Sequence, residues 1–159
     1  MKEIFYNREN AKEYALKYAL ERNNKYYNFD KIGGNCTNFA SQCLYAGLPV
    51  MNYSPNGWYY NSISNRSPAW TDVNFFYDFL TNNNSVGPYG KKVDISLAEI
   101  GDFIQLKNNT KWYHTLVICQ IDNQEILVCA NTTDSLLRPL SSYYFKEFRC
   151  IKILGGKSY

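Results

Sequence analysis

A thiol attacks as its thiolate, and a helix start favours that anion because unpaired N–H groups and the positive end of the helix dipole face it there. Of the five cysteines, at 36, 43, 119, 129 and 150, Cys36 alone has this setting, between the loop Gly33-Gly34-Asn35 and a helical pattern. The N–H groups of the same helix start could hold the oxyanion that forms when the sulfur adds to a carbonyl. The other four cysteines lie inside apolar patterns and read as small buried hydrophobes. The chain has one histidine, His114, at the beginning of the apolar run Thr115–Ile121. Any Cys–His pair must therefore use His114 as its base.

A third group usually orients the imidazole, and Asn131-Thr132-Thr133-Asp134 follows the next apolar run. If the two runs form a hairpin with a two- or four-residue loop, Asn131 shares a face with His114, and Cys119 and Cys129 point to opposite faces. With three loop residues, Thr132 and Asp134 share that face instead. Asn131 is taken as the third catalytic residue, with Asp134 as its rival. Asp102, which follows Gly101 and leads into a strand, is read as a structural turn residue. Asn35, Trp58 and Trp70 are candidate substrate-binding residues, the tryptophans belonging to segments that could line a groove or fold onto the core.

The elements that would position these groups follow from periodicity. Ala11, Tyr14, Ala15, Tyr18 and Ala19 recur at helical spacing between Asn7 and Arg22, with Asn7 as cap. Phe39, Ala40, Cys43 and Leu44 mark a second helix from Cys36 to Ala46, ended by Gly47 and Pro49. A third helix runs from Thr71 or Asp72 to Leu80, the stretch Asn82–Lys92 reads as loop, and Ser96 with Glu99 has capping-box spacing. Then the pattern changes to strands at 103–106, 113–121, 125–130 and 148–154. Helices followed by strands predict an α+β fold with N-terminal helices on a C-terminal antiparallel sheet, in a single domain over residues 1–159.

Composition narrows the function classes. A formal charge of +3 without a basic stripe argues against nucleic acid as partner. No segment reaches the length of a membrane span. An odd number of cysteines without CxxC spacing speaks against a disulfide framework and a zinc site. Cys36 and Cys43, about two turns apart on one helix, are too distant to bridge. Met1–Tyr6 lacks a leader's apolar run, which leaves localisation open between the cytoplasm and a domain of an exported protein.

The chain resembles the bacterial putative amidase domain family, a relative of CHAP and NlpC-type cell-wall hydrolases in the papain-like group. The likeness runs from about Tyr6 to Ile153, through Tyr6-Asn7-Arg8, Gly33-Gly34-Asn35-Cys36-Thr37-Asn38-Phe39, Ser41-Gln42-Cys43, Gly57-Trp58-Tyr59-Tyr60, Ser67-Pro68-Ala69-Trp70-Thr71, Gly101-Asp102 and His114. It implies a papain-like fold and attack of a thiolate on an amide through an acyl-enzyme. Two departures stand out: Asn35 where the family often has Asp, and Asn131 where it often has His. The expected activity is amide hydrolysis by a monomer, in peptidoglycan or a related peptide, with no cofactor and no metal. Protein peptidase, deamidase or acyl transferase activity would use the same residues. A non-catalytic wall- or protein-binding module would instead use Trp58, Tyr59, Tyr60 and Trp70 as stacking surfaces.

Overall fold

The computed structural model describes residues 1–159. In chain order its elements are β1 (Lys2–Ile4), α1 (Arg8–Tyr18), α2 (Cys36–Gly47), β2 (Tyr60–Ser62), β3 (Asn65–Arg66), α3 (Pro68–Thr71), α4 (Val73–Asn82), β4 (Gly87–Val93), β5 (Phe103–Lys107), β6 (Trp112–Asp122), β7 (Glu125–Ala130), β8 (Ser135–Pro139) and β9 (Glu147–Ser158). The fold is α+β, with N-terminal helices and a large antiparallel sheet. No helix is long and apolar enough to cross a membrane.

Local chemistry accounts for the helix starts. The Asn7 side chain accepts from the N–H of Asn10 at 3.0 Å and that of Asp72 from Phe75 at 2.9 Å, each satisfying a donor that the first turn leaves free. Every residue of α2 from Cys36 to Leu44 is buried, as expected of a helix enclosed by neighbours rather than lying on the surface. Its end is fixed by close approach: a Cβ on Gly47 would lie 2.5 Å from Tyr6 Cε1 and 2.6 Å from the Asn7 carbonyl oxygen. Only glycine fits there without moving the entry to α1.

The sheet runs β1-β9-β5-β6-β7-β8, and β4 also pairs with β9. One face carries Phe103, Val117, Cys129, Ile151 and Ile153 into the larger core with α1, α2, Trp58 and Trp70. The other face carries Ile104, Leu106, Leu116, Ile118 and Val128 into a smaller core closed by Leu140, Tyr143 and Phe148. Both faces are covered, so the strands read as apolar runs rather than alternating ones.

Several elements differ from the sequence reading. Residues 87–93 form β4 instead of loop, because pairing with the long β9 supplies the backbone partners that Gly87, Pro88 and Gly90 do not advertise. The Ser96–Glu99 spacing is not a capping box: Asp94 caps a short turn at Ile95–Leu97 through the N–H of Ser96, 2.9 Å away. Asp102 is structural, as read. It is fully buried and accepts from Arg8 Nη1 at 2.7 Å, the Ile153 N–H at 3.0 Å and the Glu99 N–H at 2.8 Å. Asp102→Ala leaves two amides without their acceptor and takes the nearest carboxylate from Arg8, which keeps the Ile100 and Ile153 carbonyls, so a loss of about 3–5 kcal/mol is expected. Urea denaturation of the variant against the parent protein measures it.

Candidate active site

The loop before α2 is built to deliver Cys36. Gly33 and Gly34 take φ of +83° and +96°, a region open to glycine at no steric cost. Asn35 then ties the segment together: its Oδ1 accepts from the Phe29 N–H and from Asn38 Nδ2, both at 2.9 Å, and its Nδ2 donates to Asn131 Oδ1 at 3.0 Å. Across the interface Thr37 Oγ1 and Thr115 Oγ1 lie 2.9 Å apart, which clamps the first turn of α2 to β6.

The sulfur of Cys36 sits 3.7 Å from Thr37 Oγ1, and the nearby backbone N–H groups of Thr115, Thr37 and Cys36 itself act on its charge. These donors favour a thiolate. Burial opposes them and is the stronger effect: with Cys36 only 8% exposed, the thiol is held above its ordinary value. Low-pH activation by the helix start, as the sequence suggested, is thus outweighed by desolvation. The resting group is the neutral thiol. Alkylation by iodoacetamide is therefore expected to be slow near pH 7 and to rise only above about pH 8.5, which peptide mapping across pH would check.

His114 precedes Thr115, whose hydroxyl meets Thr37 at the start of α2. Strand alternation places the two neighbours differently: Thr115 faces α2, whereas His114, paired with Leu106, leaves the strand on the side of the smaller core. Its ring stacks near Tyr113 and lies near Tyr143, each at 6.1 Å between centroids. Cys36 and His114 make no hydrogen bond to each other; the link between the start of α2 and this stretch of β6 is the Thr37–Thr115 hydroxyl pair. The imidazole lines an open cleft of about 240 Å³ with Thr133, Arg138, Tyr143 and Tyr144. Burial, and then the nearby Arg138 charge, lower its pKa to about 4.

That value carries a stability prediction. The folded pKa lies below the unfolded value of about 6.5, so the unfolded chain binds the proton first as pH falls. The contribution is complete above pH 6.5 and is lost progressively down to about pH 4. Its size is at most about 3 kcal/mol. Denaturation midpoints of the parent protein should fall over this window, and those of His114→Gln should lack that part of the fall.

A bulge decides which residues accompany His114. The turn Asn123-Gln124 gives the two-residue loop, with Asp122 opposite Glu125, but the register shifts between Ile118 and Gln120, so Val117 pairs with Cys129. Asn131 consequently falls beside Thr115 on the helix side instead of sharing a face with His114. Its Nδ2 donates to the Ala19 carbonyl at 2.9 Å and its Oδ1 accepts from Asn35, so both ends of the amide are occupied and neither meets the imidazole. Asn131 is a tie between β7, α1 and the Cys36 loop rather than the orienting residue. Asp134 is no substitute, because it pairs with Arg22 at 2.8 Å. The same bulge turns Cys119 and Cys129 toward one core, where they stay unbridged.

The expected substrate-binding residues are also internal. Trp58 and Trp70 are both 0% exposed, 4.6 Å apart, with their indole N–H groups donating to Ser41 Oγ and Asn38 Oδ1. Asn35 is 2% exposed and fully engaged in the loop. These side chains fill and tie the core, so a surface that stacks ligands on the two tryptophans is excluded. Arg138, which shares the cleft with His114, went unnoticed in the sequence because β8 shows no strand pattern there. No cluster of three or more His, Cys, Asp and Glu side chains is gathered as metal ligands would be.

These features define an α+β protein with a thiol at a helix start, packed on an antiparallel sheet that carries the chain's single imidazole. The chain belongs to the family described as "Putative amidase domain", whose profile matches residues 5–153. That membership supports a hydrolase acting on amides. The chain is 36% identical over 141 residues to "Uncharacterized protein YhbB" of Bacillus subtilis (strain 168), covering 84% of this chain and 43% of the relative. It is 28% identical over 160 residues to "Uncharacterized protein YjcM" of the same strain, covering 94% of this chain and 34% of that protein. The chain thus spans less than half the length of these two relatives. No solved structure matches it.

Proposed function

We propose that this domain is a cysteine-dependent amide hydrolase of papain-like design, in which Cys36 attacks and His114 moves the proton. The observation that carries the reading is a buried thiol at the start of α2, with Thr37 Oγ1 3.7 Å from its sulfur and Thr115, the neighbour of the chain's only histidine, 2.9 Å from Thr37, in an amidase-family chain. In the resting site both groups are neutral, so the reaction starts with His114 as general base rather than with a preformed ion pair. Catalytic hydrogen bonds are often long or misaligned before substrate binds, and here Cys36 and His114 make none to each other in the resting site.

Attack of Cys36 Sγ on the amide carbonyl forms the C–S bond while the thiol proton passes to His114. The Cys36 N–H stabilises the oxyanion. Collapse breaks the C–N bond, and His114 returns the proton to the departing amine. Water then adds to the thioester with His114 again as base, releasing the acid and restoring the thiol. Peptidoglycan stem peptides, or the sugar–peptide junction, are the proposed substrates. Digestion of purified cell walls should produce new amino and carboxyl ends, read by mass spectrometry. Unchanged walls together with cleavage of a peptide panel would move the activity to a protein peptidase; equal products from Cys36→Ala would remove the thiol from the reaction.

A further inference from the structure

The cleft beside His114 holds a cation without a counter-ion. Arg138 has no carboxylate within ion-pairing distance, whereas Arg8 and Arg22 each have one or more. It is not a loose surface side chain either. Its Nε donates to Ser142 Oγ at 2.8 Å, one Nη donates to the Ser142 carbonyl at 3.0 Å, and the guanidinium lies 3.7 Å over the Tyr143 ring. The same Tyr143 ring is 6.1 Å from that of His114, so one aromatic side chain spaces the cation from the imidazole. Half-buried, rigidly held and facing a cleft of about 240 Å³, this guanidinium keeps its other Nη free for a ligand. A planar fork with spare donors suits a carboxylate better than any other common anion of peptides.

We propose that Arg138 forms an anion subsite of this cleft and that the substrate carries a carboxylate next to the amide that is cleaved. The proposal rests on the hydrolase reading above for the words "substrate" and "cleaved", but the binding itself does not. Seating an anion on Arg138 also changes the base. Arg138 is the only charged group among the cleft residues, the others being Tyr113, Tyr143, Tyr144, Thr132 and Thr133. Free, it disfavours a proton on His114; with a carboxylate on it, that penalty is offset and the imidazolium becomes easier to form. A correct substrate would thereby strengthen the base that acts on it, while a neutral analogue would not.

The test uses the Cys36→Ala protein, which cannot turn over, with acetyl-glutamate N-methylamide and acetyl-glutamine N-methylamide as probes. Calorimetry should show the glutamate probe binding about tenfold tighter or more, with the preference lost in Cys36→Ala/Arg138→Gln. Because the chain has one histidine, its ring C–H signal is unambiguous in NMR. Titrating that signal without any Arg138 variant gives an independent reading: the midpoint should rise with the glutamate probe and not with the glutamine probe. Equal affinities and equal midpoints for the two probes would overturn the subsite. Discrimination by charge in a protein that cleaves no amide would leave the subsite standing and sink the hydrolase reading instead.

Discussion

Cys36→Ala is expected to lower amide hydrolysis by roughly 10⁴-fold or more, and His114→Ala by a comparable factor, with the double variant little worse than either. Non-additivity is the informative part, because two residues that perform one proton-coupled attack are lost together when either is removed. The fold should survive both changes. Cys36 sits at the start of α2 and its sulfur lies beside Thr37 Oγ1 rather than at the centre of either core, so the stability cost of the alanine is about 1 kcal/mol. Rates and denaturation curves on the same preparations separate the two effects. A rate loss that tracked unfolding would assign Cys36 to structure.

Trp70→Ala should do the reverse, costing about 3–5 kcal/mol of stability against a total of about 5–15 kcal/mol for a domain. Its ring is fully buried, tilted against Trp58 at 4.6 Å and near Tyr45, Tyr26 and Tyr60 at 6.2, 6.0 and 5.9 Å. Truncation empties that space and also strips Asn38 Oδ1 of its donor. Asn38 in turn holds the Tyr27 carbonyl and Asn35, so the loosening passes to the loop that presents Cys36. Trp70→Phe keeps part of the packing but not the indole N–H and should fall between the two. Chemical denaturation orders the three proteins. If Trp70→Ala kept full stability while only weakening substrate binding, the indole would be a substrate surface after all.

The helices around the thiol were legible because their signals are local. Asn7 caps, Gly47 stops, and Ala11, Ala15, Phe39 and Leu44 repeat at helical spacing, none of which depends on a distant partner. The strands at 103–107 and 125–130 were legible for the same reason, being short apolar runs between polar turns. What escaped was non-local. β4 and β8 exist because neighbours pair with them, and their own residues, among them Gly87, Pro88 and Pro139, argue against strand. The bulge at Cys119 left no mark in composition, yet it moves Asn131 from the His114 side to the helix side.

For the candidate site, residue types were readable and environments were not. The position of Cys36 at a helix start follows from Gly33-Gly34-Asn35, and His114 is singled out by being alone. The burial that raises the thiol and lowers the imidazole depends on how closely β6, α2 and the Tyr143 segment approach, a tertiary quantity. Trp58 and Trp70 show the same division: their aromatic character is plain in the sequence, whereas sealing them beneath α2 takes the Ser41 and Asn38 contacts that only folding creates.

The most direct measurement is acid-quenched mass spectrometry of the protein during turnover of a peptide amide. A covalent adduct with the mass of the acyl group, mapped to Cys36 and absent from Cys36→Ala, is the expected result. Turnover of that amide with no acyl adduct, and at an undiminished rate in Cys36→Ala, would contradict a thiol nucleophile at residue 36.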